Sequence, residues 1–126
     1  MENLDLKGSS KTPTVNFNAA TGILSLAGRS IPENSIEFYK PLLAWIEEYK
    51  SHQAEQTTLQ IKLEYFNTSS SKCLLDLFKK LESIGGKSSV EWFYENDDED
   101  MLEAGEDYEA IVHVPFKMIG VENLQA

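Results

Sequence analysis

The chain is expected to fold as a mixed α/β (α+β) domain, with a sheet of about five strands packed by helices. Three observations carry this expectation. "TTLQIKLEYF" (Thr57–Phe66) alternates apolar and polar residues with period two. The stretches on either side of it carry apolar residues at helical spacing. Segments of the two kinds then take turns along the chain, which is the order that builds a mixed sheet with helical connections.

Taken in order, residues 1–12 are polar and read as a flexible N-terminal arm. "TVNFN" (Thr14–Asn18) alternates, "AATG" (Ala19–Gly22) supplies a turn, and "ILSLAG" (Ile23–Gly28) resumes the alternation. That pattern predicts a hairpin. The period then changes. Ile36, Tyr39, Leu43 and Ile46 form one helical stripe, widened by Phe38, Leu42, Trp45 and Tyr49. Asn34 or Ser35 is placed to cap this helix. Pro41 removes one backbone donor, so the pattern predicts a kink there or a helix that starts near it.

In Thr57–Phe66, Leu59, Ile61, Leu63 and Tyr65 share one face, while Gln60, Lys62 and Glu64 share the other. The next helix sets Leu74, Leu77, Phe78, Leu81 and Ile84 on one side and stops at Gly85 and Gly86. "SVEWFYE" (Ser89–Glu95) is a further strand. "DDEDMLEAGEDYEA" (Asp97–Ala110) is a short helix or an acidic loop, and "AIVHVPF" (Ala110–Phe116) is the expected last strand. A single domain over residues 13–118 and a short tail over 119–126 complete the reading.

Composition narrows the function. At 126 residues and 41% apolar content the chain has the size and make-up of one ordinary globular domain. A formal net charge of −10 disfavours nucleic acid or an anionic membrane as partner, and suits steering toward a basic protein surface. No stretch approaches a membrane span or has the order of a signal peptide. One cysteine, Cys73, forms no internal disulfide. A cytoplasmic location is expected.

The hydroxyl run Thr68–Ser71, followed by Lys72, stands at the start of the second helix. One hydroxyl would satisfy the cap, and the stripe beginning at Leu74 assigns that role to Ser69 or Ser70. Thr68 then falls just outside the helix, at the strand end. A phosphate there would meet free helix amides and Lys72. Three readings stay open: an over-decorated cap, a phosphorylation site, or a bend that binds a ligand's phosphate. The last lacks a glycine-rich cradle.

Other candidates are weaker. Glu95–Glu109 is rich in carboxylates and has no Lys or Arg, but it lacks the order of a calcium loop and reads first as a solvated face. Asp97–Asp100 also suit the start of a helix. Cys73 aligns with Leu74 and Leu77, as a small buried hydrophobe does. His52 falls in a loop and His113 between Val112 and Val114, neither at metal-ligand spacing. No catalytic residue, metal or cofactor is expected. In "EWFYE", one face suits the core and the other a partner.

"GILSLAGRSIPENSIEFYKPLLAWIEEY", "KLEYFNTSSSKCLLDLFKKLE" and "EWFYENDDEDMLEAGEDYEAIVHVPF" together resemble the SiaC family of bacterial regulatory phosphoproteins, over roughly residues 13–118. The resemblance implies a fold like the STAS, or anti-sigma-factor antagonist, domain. It implies that Thr68, the threonine of "FNTSSSK", accepts the phosphate, with Asn67, Ser69, Ser70, Ser71 and Lys72 as its surroundings. It also implies a dedicated protein kinase, a PP2C-type phosphatase, and an unphosphorylated form that binds and activates a diguanylate cyclase. Higher cyclic di-GMP, aggregation and biofilm would follow. The chain itself would be no enzyme. Two rival classes are a constitutive acidic protein-binding module without a switch, and a small enzyme built on Cys73 or on metal-binding carboxylates.

Overall fold

Parallel strands cannot be joined by tight turns, so a chain that alternates strand and helix builds its sheet through crossovers. The computed structural model describes residues 1–125 and has this form. Its elements are β1 (Leu4–Leu6), β2 (Thr14–Asn18), β3 (Ile23–Ser30), α1 (Ser35–Tyr49), a 3₁₀ turn at Lys50–His52, β4 (Thr57–Phe66), α2 (Thr68–Ser83), β5 (Ser88–Glu95), α3 (Glu99–Ile111) and β6 (Phe116–Val121). They form one six-stranded sheet in sequential order. β1, β2 and β3 are antiparallel; β3 to β6 are parallel, with α1, α2 and α3 as the crossovers.

The sheet has a dry face and a wet one. Leu24, Leu26, Leu59, Ile61, Leu63, Val90 and Trp92 are fully buried, in one core with Tyr39, Leu42, Ile46, Leu74, Leu77, Phe78 and Leu81 of the helices. On the opposite face Asp5, Asn16, Ser25, Gln60, Glu91 and Lys117 lie in register across all six strands. This polar row is what period-two alternation predicts for a sheet covered on one side. No described helix is long and apolar enough to cross a membrane.

The class is as expected, but four local expectations are corrected. The N-terminal arm contains β1, which adds a sixth strand by pairing with β2. The arm is held further by Trp45, whose indole N–H donates to the Glu2 carbonyl at 2.9 Å, and by Asn3, whose side chain accepts from the Ala19 amide at 3.0 Å. The last strand is Phe116–Val121, not Ala110–Phe116, so Ile119–Val121 belong to the sheet and not to a tail. Ala110 and Ile111 instead finish α3, and Pro115 has no N–H to give a ladder. The Pro115 carbonyl accepts from Val90, and the strand begins just after it. Third, of the two alternatives at Pro41 the helix start is ruled out: α1 starts at Ser35, capped by Asn34, one of the two expected caps, and carries Pro41 exposed within it. It does not start near the proline.

The fourth correction shapes the site. Gly28 pairs with Leu63, but the next residue, Arg29, pairs with Tyr65. Glu64 is thus an extra residue, a β-bulge that inverts the faces of the strand end. Tyr65, expected beside Leu63 in the core, is 50% exposed. Arg29 lies over its ring at 5.7 Å. Phe66 turns inward instead, against Trp92 and Tyr108.

The acidic stretch is a helix, capped by Asp98, whose carboxylate accepts from the Met101 amide at 3.0 Å. α3 packs by bringing Gly105 onto Trp92: a Cβ there would fall 2.6 Å from the ring's Cδ1. The same indole N–H donates to the Met101 carbonyl at 2.9 Å, so it has little freedom to move. Gly105→Ala is therefore expected to destabilise the fold by about 1–3 kcal/mol through overpacking, read as a lower urea midpoint with unchanged slope.

Candidate functional site

The C-terminal ends of β3, β4 and β5 each lead into a helix, so three helix N-termini meet at one edge of the sheet. In open parallel sheets this edge is where sites are built. The first residue past β4 is Asn67, held in extended conformation by its N–H bond to the Ser30 carbonyl at 3.0 Å. Its side-chain oxygen accepts from the Ser70 amide at 2.9 Å and from the Ser69 hydroxyl at 3.1 Å. Asn67 is thus the cap of α2, in place of Ser69 or Ser70. Thr68 is the first residue of the helix rather than the last before it.

With the cap role taken, the four hydroxyls part ways. Ser70 is fully buried. Its Oγ donates to the Ser30 carbonyl at 3.0 Å and accepts from the Ser30 hydroxyl at 2.8 Å. Ser30 has only one hydroxyl proton, so the 2.6 Å bond between Ser30 and Tyr39 is donated by Tyr39. By the same count Ser35 donates to Ser69 at 2.7 Å, because Ser69 gives its proton to Asn67. Ser71 donates to the Thr68 carbonyl at 2.6 Å. Thr68 is exposed, and its hydroxyl has no hydrogen-bond partner among the described residues. The Thr68 and Ser69 amides, at the open end of the helix, are unpartnered in the same sense.

Lys72 follows one turn after Thr68, exposed and on the same helix face. Among the described residues the one ion pair is Lys80 with Glu47 at 3.0 Å, which leaves Lys72 unpaired. Beside Thr68 is a recess of about 550 Å³ lined by Ile36, Thr68, Ser69, Lys72, Cys73 and Asp76. Ile36, expected in the buried stripe of α1, is 75% exposed on this recess. Sequence reasoning missed that, because the buried face of α1 runs through Ser35, Tyr39, Leu42, Ile46 and Tyr49, and Ile36 stands about 100° around the helix from Ser35, on the flank of that face. It also missed Ser30 and Tyr39 as site residues, since their role depends on a contact forty residues away in the chain.

The remaining candidates separate from this site. Burial pushes the Cys73 thiol up, helped by the neighbouring Asp76 charge, opposite to what an activated nucleophile needs. His52 lies in the 3₁₀ turn and His113 in the exposed loop after α3. No group of three or more His, Cys, Asp or Glu is arranged for a metal among the described residues. Asp98 is occupied as a cap, and with Glu99 and Asp100 faces the positive end of α3. Tyr108 of α3 donates to the Ser71 carbonyl at 2.7 Å, tying a third helix to the first turn of α2.

Comparison with known proteins places the chain among similar sequences and folds. The family profile described as "SiaC family regulatory phosphoprotein" matches residues 6–121. An uncharacterized protein of Pseudomonas aeruginosa (strain UCBPP-PA14) is 32% identical over 119 residues, covering 92% of this chain and 94% of its own. Among solved structures, SiaC of Pseudomonas aeruginosa superposes with a TM-score of 0.87 at 29% identity, over 96% of this chain and all of that one (100%). A crystal structure of the diguanylate cyclase SiaD in complex with its activator SiaC, from the same organism, matches with a TM-score of 0.87 at 30% identity, over 94% and 99% of the two chains.

The buried hydroxyl cluster has a pH signature. Burial pushes Tyr39 up to about 12, partly offset by its bond to Ser30. Burial also raises Tyr108. From about pH 10 upward the unfolded chain releases a proton that folded Tyr39 keeps, so its contribution is full below pH 10 and lost toward pH 12. Urea unfolding should show a loss of about 2–3 kcal/mol from Tyr39 across that window. Tyr39→Phe should flatten the slope without abolishing it, since Tyr108 titrates in the same direction.

Proposed function

The chain belongs to the SiaC family of regulatory phosphoproteins, and on that premise we propose that it is a partner switch thrown by phosphorylation of Thr68. The observation that carries the proposal is the contrast within the hydroxyl run: Thr68 is exposed and unpartnered, while Ser69, Ser70 and Ser71 are each engaged. In this reading a dedicated kinase phosphorylates Thr68 and a PP2C-type phosphatase removes the group. The unmodified form binds and activates a diguanylate cyclase, as SiaC of Pseudomonas aeruginosa is the activator of SiaD. The chain acts in the cytoplasm by binding, not by catalysis, and raises cyclic di-GMP to favour aggregation and biofilm.

The mechanism is electrostatic and local. Unmodified Thr68 is small and neutral, and can be covered by a partner at little cost. Phosphothreonine adds about two negative charges and three acceptor oxygens. The Thr68 and Ser69 amides and Lys72 are placed to receive it in the free protein. Covering that charge without a cation from the partner costs about 3–5 kcal/mol on the scale of broken buried pairs. At about 1.4 kcal/mol per tenfold, affinity falls by two to three orders of magnitude. No rearrangement of the fold is needed.

The experiment is calorimetric titration of the cyclase with three forms of the chain. Thr68→Ala should bind like the parent and stay insensitive to the kinase. The phosphorylated parent should bind at least about tenfold more weakly, and Thr68→Asp, with one charge and two oxygens, should fall between. Equal binding by all three would sink the switch. If charge reversal at Asp97–Asp100 abolished binding instead, the acidic α3 face would be the docking surface of a constitutive module.

A further inference from the structure

Resting on the partner-switch reading, we propose that Ile36 is the apolar anchor of the cyclase-binding face, and that the recess between the first turns of α1 and α2 receives an apolar side chain from a helix of the cyclase. Ile36 is the most exposed of the large hydrophobic residues that stand clear of the core. Single exposed hydrophobes are ordinary on a convex surface. This one lines a recess of about 550 Å³, and Thr68 lines the same recess.

Charge selects the occupant. The recess contains one cation, Lys72, and one anion, Asp76, which cancel, in a chain whose formal net charge is −10. A cationic ligand is drawn to other parts of this surface; the neutral recess fits an apolar group. Its walls are two helices, the setting in which a third helix lays down its apolar side. The walls are also fixed at their base. Ser35, next to Ile36, donates to Ser69, next to Thr68, at 2.7 Å. A groove held open in advance loses little freedom on binding. This placement also accounts for the sensitivity to modification: a phosphate on Thr68 sets its charge in the wall against which the apolar side chain packs.

The test is binding of the purified cyclase by the full chain, with Ile36→Glu, Ile36→Ala and Ile36→Leu beside the phosphorylated parent. Ile36 faces solvent, so the melting temperature of each variant should match the parent. Ile36→Glu should weaken binding at least about tenfold and Ile36→Ala about fivefold, with Ile36→Leu near the parent. Parent-like binding by Ile36→Glu, with the phosphorylated parent still weakened, would overturn the anchor and leave the switch standing. Weak binding by Ile36→Glu with no effect of phosphorylation would uphold the anchor and overturn the switch.

Discussion

The hydrogen bonds between Ser70 and Ser30 are the constraint on which the working edge of this protein depends. They join the end of β3 to the first turn of α2 in a place sealed from water. A buried hydroxyl without a partner is costly, so each of these groups dictates where the other must be. Tyr39 extends the link to α1, and Tyr108 brings α3 to the Ser71 carbonyl. No buried side-chain polar atom is left unsatisfied among the described residues. The first turn of α2 is thereby held from three sides, and Thr68 rides on it in a fixed place while remaining open to solvent. The proposed switch at Thr68 requires that combination: free access for a kinase, and a rigid seat so that one added group changes what can dock.

The same edge shows how a strongly acidic chain keeps a neutral site. Most of the carboxylates lie elsewhere. Those of Asp98, Glu99 and Asp100 gather at the start of α3, where a carboxylate caps the helix and the peptide dipoles favour negative charge. At α2 the cap is an uncharged amide, Asn67, and the first turn carries no acid. The positive end of α2 is therefore not neutralised from within. It is available to an anion such as the proposed phosphate, with Lys72 one turn away. The two helix starts are both capped by a side-chain oxygen, and they differ in charge: acidic at α3, uncharged at α2.

The β-bulge at Glu64 has a larger effect than one residue suggests. It exchanges the faces of Tyr65 and Phe66, sending Phe66 to close the core beneath α3 and leaving Tyr65 exposed under Arg29. Strict alternation would have buried Tyr65. Bulges recur where a strand must re-aim its last residues, and here the re-aimed end leads straight into Asn67 and Thr68.

Local chemistry in the sequence determined much of this protein: the fold class, the alternating strand Thr57–Phe66, the apolar faces of α1 and α2, and the presence of a helix start at the hydroxyl run. These follow from periodicity and from propensity, which act over a few residues. The resemblance to a family of regulatory phosphoproteins was also legible in continuous motifs. What only the tertiary structure decided depends on contacts between distant segments. β1 becomes a strand because β2 offers it an edge. Ala110–Ile111 stay helical because α3 continues to its C-cap Val112, whose N–H closes the last turn on the Tyr108 carbonyl, and the sheet takes up the chain only after Pro115. Asn67 takes the cap because the Ser30 carbonyl holds its N–H. Above all, capping and periodicity by themselves could not tell Thr68 from the three serines after it; in the sequence only the family resemblance singled it out. Burial and hydrogen bonding to Ser30, Ser35 and Asn67 engage Ser69 and Ser70, Ser71 bonds back within its own turn, and Thr68 alone is left free.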